Sequence, residues 1–173
     1  PGRGGCEHPA VRMSGIDLSF VSGKEKFNYR VCAVILSEGK LLAMHDERSP
    51  YYYLPGGRVQ MGETAEAAVG REVQEELEIT PEIIRPLWLN QAFFTEDVDG
   101  LHYHELCLYF LMDISHTDLL SKGEKFTLLE RHHTHKFEWL PFDRLEREYF
   151  YPLFLKKEIF HLPEALTLRT ELE

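Results

Sequence analysis

The sequence predicts a mixed α/β (α+β) sandwich, on three observations. Apolar residues flank two turn signals in the manner of hairpins. A proline-free stretch with helical spacing lies between those hairpins, and apolar residues return at helical spacing near the end of the chain. A chain of 173 residues suits one domain, placed at 13–173.

From Phe27 the chain reads FNYRVCAVILSEGKLLAMHDE. The runs Val31 to Leu36 and Lys40 to His45 flank Ser37-Glu38-Gly39, where Gly39 supplies the positive φ of a tight turn, so the pair reads as a hairpin. RSPYYYLPGG follows as a short aromatic strand between Pro50 and Pro55, broken by Gly56 and Gly57. Ala65 to Leu77 reads as a helix with Thr64 at its N-cap. Ile83 to Thr95 and Leu101 to Ile114 form a second hairpin around Asp97-Val98-Asp99-Gly100. Ser115 to Arg131 is mixed and polar and reads as a long loop. HKFEWLPFDRL reads as a strand turning into a helix, and PLFLKKEIFHL as a late helix. The opening PGRGGCEHPAVR, residues 1–12, is small and polar without periodicity. It reads as appended or disordered, with Met13 the natural start, and Leu172-Glu173 reads as a similar addition.

Charge and cysteine usage narrow the function. A formal charge of −10 suits neither duplex DNA nor duplex RNA as a partner, though local cations still allow an anionic small molecule. No apolar run approaches the roughly 20 residues that span a bilayer, and the start lacks a signal-peptide pattern. Three cysteines, odd in number and without a CxxC pair, support neither a disulfide framework nor a zinc cluster, so a reducing cytoplasm is expected. Cys32 and Cys107 lie in apolar runs and read as buried thiols.

The helix concentrates the chemistry. At 100° per residue, Glu72, Glu75 and Glu76 share an arc of about 100°, beside an apolar stripe of Ala65, Val69, Val73 and Leu77. Glu72 and Glu76 are one turn apart, with Cβ atoms roughly 6 Å from each other. Arg71 alone does not neutralise three carboxylates. Hard divalent cations do, which turns repulsion into metal affinity. The competing reading is a solvated acidic face.

The whole stretch GGRVQMGETAEAAVGREVQEELEI resembles the Nudix box: Gly57, five residues, Glu63, seven residues, then Arg71, Glu72, Val73, Glu75, Glu76 and Ile79. One position departs, because Glu78 stands where the family has a glycine that caps the helix in a left-handed conformation. The resemblance implies a mixed sheet sandwiched between helices, with the box as a loop-helix-loop at a cleft. It also implies hydrolysis of a nucleoside diphosphate linked to another group, with Mg²⁺ as cofactor and Mn²⁺ as a substitute. Metal ions on the phosphate oxygens relieve the repulsion of an incoming nucleophile, and a carboxylate takes the proton as water attacks phosphorus.

Carried over by position, Glu72, Glu75, Glu76 and the Gly56 carbonyl become metal ligands. Arg71 orients a glutamate, and Glu63 braces the loop against the helix. The general base stays open between Glu72, Glu75, Glu124 and Glu130. Tyr51, Tyr53 and Phe93 are aromatic candidates for stacking a base, with alternation sending Tyr52 to the opposite face. Arg48 and Arg58 are candidates to grip phosphate. His132, His133 and His135, and the pair His102 and His104, lack the spacing of a complete zinc site. The box wording resembles members that cleave nucleoside triphosphates, with ADP-ribose or nucleotide-sugar pyrophosphatases as the alternative and a non-catalytic nucleotide sensor as the alternative of another class. A homodimer is compatible with the sequence.

Overall fold

The computed structural model describes residues 15–173; the segment 1–12 and Met13 lie outside the described residues. The chain runs through β1 (Ser19–Ser22), β2 (Glu25–Ser37), β3 (Lys40–Asp46), β4 (Gly56–Arg58), helix α1 (Ala65–Leu77), β5 (Glu82–Thr95) and β6 (His102–Asp113). A 3-10 turn at Leu119–Lys122 leads to β7 (Lys125–Glu130), β8 (His133–Pro141), the single turns α2 (Phe142–Leu145) and α3 (Leu155–Glu158), and β9 (Thr167–Leu172). The strands form one mixed sheet in the order β7-β8-β3-β2-β6-β5-β9, with β1 and β4 also paired to β2. Among the described residues no helix is long and apolar enough to cross a membrane.

Strand β2 organises the sheet because its side chains alternate between two cores. Val31, Ala33 and Ile35 join Val69, Val73 and Leu77 of α1, with Phe110, Phe137 and Trp139. Cys32 and Val34 face the other way, onto Trp88, Leu140, Leu145, Phe154 and Leu155. The sheet is therefore sandwiched, with α1 on one face and the C-terminal turns on the other. Val69, Val73 and Leu77 are fully buried, and burial of each is worth about 1.5–3 kcal/mol. That apolar stripe fixes how α1 rolls on the sheet, and so where its acidic edge points.

Both predicted hairpins form. Leu36 pairs with Leu41 and Ser37 with Lys40 around Glu38 and Gly39, both at positive φ. Thr95 pairs with His102 across the second turn. Four local expectations change. The Tyr51–Tyr53 segment makes only isolated bridges, Tyr53 to Met44 and Tyr52 to Phe150, whereas Gly56–Arg58 becomes a strand antiparallel to Arg30–Cys32. Part of the expected loop 115–131 is strand β7, held by pairing with β8 from Lys125↔Glu138 to Glu130↔His133. The late helix shrinks to the turn α3. Leu172, expected to be foreign to the fold, ends strand β9 opposite Phe93.

Candidate active site

Helix α1 begins where Thr64 Oγ1 accepts the Ala67 N–H at 3.1 Å. It ends on Glu78, whose left-handed conformation (φ 59°, ψ 31°) is the one the glycine of the motif would supply. Between these ends the carboxylates meet a single cation. Arg71 Nε and Nη2 donate to the two oxygens of Glu63 at 2.7 and 2.9 Å, Nη1 donates to Glu72 at 2.7 Å and to Glu75 at 3.5 Å, and Nη2 also reaches the Arg58 carbonyl at 3.0 Å. Every N–H of the guanidinium thus has an acceptor. Glu63 accepts as well from the Gln60 N–H at 3.0 Å, which ties the glycine loop to the helix.

Close backbone approach completes this corner. Strand β4 lies beside β2 so that a Cβ on Gly57 would stand 2.3 Å from the Glu72 carboxyl carbon, and one on Gly56 would stand 2.1 Å from the Val31 carbonyl oxygen. At Gly56 the obstacle is backbone, so only glycine fits there, whereas at Gly57 it is the end of the Glu72 side chain, which an added Cβ would displace. The Gly56 N–H donates to Glu76 Oε1 at 2.8 Å.

The charge balance is unfavourable as it stands. Burial raises the Glu72 carboxyl to about 7, although Arg71 pulls it down. Burial and the charge of Glu72 push Glu76 well above the usual carboxylate range, against the Gly56 hydrogen bond. Among the described residues no cluster of three or more His, Cys, Asp or Glu side chains has the arrangement of a metal site. The donor chemistry still fits a hard cation: carboxylate oxygens on one helix edge, short of positive charge.

The two acids considered for the base separate clearly. Glu130 ends β7, 2.9 Å from His135 Nε2, and its charge acts on both Glu72 and Glu76. Glu124 pairs instead with Lys40 beside a different hollow that includes Trp139, which removes it from this corner.

A cleft of about 660 Å³ opens over the β2, β6 and β5 strands on the face away from α1, and Arg48, Arg58, Tyr51 and Tyr53 line it. Tyr52 turns away and donates to Glu138 at 2.7 Å, as alternation predicts. Arg48 is held by Asp46 at 2.7 Å, Tyr53 donates to the same oxygen at 3.3 Å, and Arg58 stands 3.6 Å from Asp17. The expectation for Phe93 changes: its ring stacks on His104, 4.4 Å between centroids, on the opposite sheet face from Ala92 and Glu105, so it does not front the cleft. The glutamates of α1 do not line this cleft; they stand across β4 from it. The two regions meet at Tyr53, whose hydroxyl is raised by burial and then by the charges of Asp46 and Glu76.

Sequence reasoning missed the cleft floor. Asn28, Arg30, Asn90, Glu105 and Glu171 line it from four neighbouring strands. The available signal was polar residues at alternate positions within otherwise apolar runs.

The sequence matches the NUDIX domain family over residues 26–159. It is 29% identical over 110 residues to an ADP-ribose pyrophosphatase of Methanocaldococcus jannaschii, a match covering 62% of this chain and 52% of that protein, so the chain spans about half that relative's length. The fold is similar to the mutator MutT protein of Bacillus halodurans (TM-score 0.55, 14% identity, 84% of this chain and 89% of that one). It is also similar to an ADP-ribose pyrophosphatase of Streptococcus suis 89-1591 (TM-score 0.53, 17% identity, 83% of this chain and 98% of that one).

Proposed function

The chain belongs to the NUDIX family, and from that premise we propose that it is a divalent-metal-dependent hydrolase of the phosphoanhydride bond in a nucleoside diphosphate joined to a second group. ADP-ribose or a related nucleotide sugar is the favoured substrate, and Mg²⁺ the favoured ion. The observation that carries this reading is the acidic edge of α1, where Glu76 is buried and Glu72 partly buried without enough positive charge while Arg71 is saturated by its own contacts. The match to a relative named ADP-ribose pyrophosphatase extends over 110 residues, far beyond the box, which supports placing ADP-ribose before a nucleoside triphosphate.

In this reading Glu72, Glu75 and Glu76, with the Gly56 carbonyl, would hold the metal, and a divalent ion there would supply charge neutralisation and Lewis acidity at the phosphates. Arg71 and Glu63 keep those carboxylates on one edge of the helix and do not touch substrate. Arg48 and Arg58 face the phosphates from the cleft side. Glu130, oriented by His135, is placed to take the proton of the attacking water, alongside Glu72 and Glu75. Tyr51 and Tyr53 form aromatic walls of the cleft.

Incubation with ADP-ribose, nucleotide sugars and nucleoside triphosphates, with and without Mg²⁺, tests the proposal. AMP and ribose 5-phosphate released from ADP-ribose only with the metal present is the expected result. Ligand binding without turnover on any compound would identify a sensor instead.

A further inference from the structure

One edge of the sheet is left open without the usual protection. Strand β9 pairs only with β5, in continuous parallel register from Trp88↔Thr167 to Phe93↔Leu172, so among the described residues its other side carries unpaired backbone groups. Natural edge strands are blunted by lysine, proline, a bulge or a covering element. Thr167–Leu172 reads TLRTEL, with neither of those residues and no shift of register. Two of its leucines turn to solvent instead, Leu168 with 65% and Leu172 with 78% exposure.

Two contacts fix which backbone groups that edge presents. The Glu173 N–H donates to the Phe93 carbonyl at 3.1 Å, and Gln91 Nε2 donates to the Arg169 carbonyl at 3.5 Å. Arg169, Glu171 and Glu173 therefore address β5, and by alternation the N–H and C=O groups of Leu168, Thr170 and Leu172 point outward. The segment Leu168-Arg169-Thr170-Glu171-Leu172 is self-complementary about its centre. Run antiparallel against a second copy, Thr170 meets Thr170, each Leu168 meets a Leu172, and each Arg169 meets a Glu171 of opposite charge. The residues brought opposite each other through Thr170 and the leucines are the ones whose backbone groups point outward, so each such pair exchanges two hydrogen bonds. Moving the centre to Arg169 or Glu171 would set like charges face to face, which is destabilising.

We infer that β9 is a dimerisation edge, at which a second copy of this chain joins antiparallel about a two-fold axis through Thr170 and continues the sheet from one protomer into the next. One face of the junction covers Leu168 and Leu172 of both copies. On the other face Glu171 lines the cleft and accepts from Asn90 Nδ2 at 2.7 Å, so the partner's Arg169 adds a cation at the rim of each cleft. A second copy suits this edge better than a foreign strand, because the segment complements itself in charge, in apolar surface and in backbone direction. A junction of five residues spans only about 17 Å, and an interface that small associates weakly. The inference goes beyond the hydrolase reading and does not depend on the reaction catalysed.

Sedimentation velocity and cysteine crosslinking test it together. Between about 5 and about 500 µM the wild type should pass from monomer to dimer, with a dissociation constant of about 10–100 µM. Thr170→Pro removes the central outward N–H at a position where an edge strand tolerates proline, so it should fold and weaken the dimer at least about tenfold. Crosslinking reads the register in a Cys6→Ser background, the remaining Cys32 and Cys107 being buried. Thr170→Cys places two thiols across the axis with Cα atoms about 5.5 Å apart, within disulfide reach. Leu168→Cys leaves its two copies about 14 Å apart. Oxidation by copper–phenanthroline should therefore give disulfide-linked dimers of the first variant and not of the second. A wild type that stays monomeric throughout, a Thr170→Pro dimer as tight as the wild type, or equal crosslinking of both cysteine variants would each overturn the assignment.

Discussion

Arg71 holds Glu63 by two parallel hydrogen bonds of 2.7 and 2.9 Å, and the Glu63 side chain is fully buried. This pair joins the glycine loop to α1, so its loss disturbs both stability and the position of Glu72. Removing one partner of a buried ion pair costs about 3–5 kcal/mol. Arg71→Met should therefore lower Tm by roughly 6–20 °C. Arg71→Lys, which keeps the charge without the fork, should recover only part of that loss in a thermal melt.

Gly57→Ala tests the close approach to Glu72. The atoms in the way belong to the end of the Glu72 side chain, with its carboxyl carbon 2.3 Å from the added Cβ. The chain should fold, with Glu72 displaced. Turnover should fall by about 100-fold or more, because a shift of about 1 Å in a positioning group has that effect. Circular dichroism and steady-state rates separate the two consequences.

Glu78 caps α1 in the left-handed region, at φ 59°. A residue with a Cβ pays about 1 kcal/mol for that conformation. Glu78→Gly should raise stability by about that amount, or roughly 2–4 °C in Tm, with no change in turnover.

Glu138 gives a prediction in pH. Burial raises its carboxyl, but hydrogen bonds from Tyr52 and Arg144 overcome this and hold it below 4.5, its ordinary value. A depressed carboxylate stabilises the fold above its unfolded pKa, and the contribution is lost as pH falls through the folded one. Glu138→Gln should be less stable than wild type at pH 7 by about 1–3 kcal/mol, and urea titrations should show the gap closing as pH falls below 4.5.

The box helix was legible because its information is local: the N-cap at Thr64, the stripe ending at Leu77, and charge at fixed spacing. The cleft walls were partly legible for the same reason, since alternation alone separates Tyr52 from Tyr51 and Tyr53. Strand β7 was not legible. Phe126, Leu128 and Glu130 lean inward only because β8 pairs beside them, and the residues between them are exposed. Strand β9 was hidden for the opposite reason, as an edge strand whose Leu168 and Leu172 face outward and imitate a surface tail. The floor of the cleft depends on register. Arg30 and Asn90 are 60 positions apart in the sequence and become neighbours only across Cys107.

The claim on which the account rests is that the buried glutamates of α1 are kept for a cation. Glu76→Gln tests it most directly, because glutamine can still accept the Gly56 hydrogen bond while losing the charge. Thermal melts with and without Mg²⁺ should show the metal-free variant more stable than the metal-free wild type, and Mg²⁺ stabilising the wild type but not the variant. Equal stabilisation of both proteins by Mg²⁺, or of neither, would contradict the account.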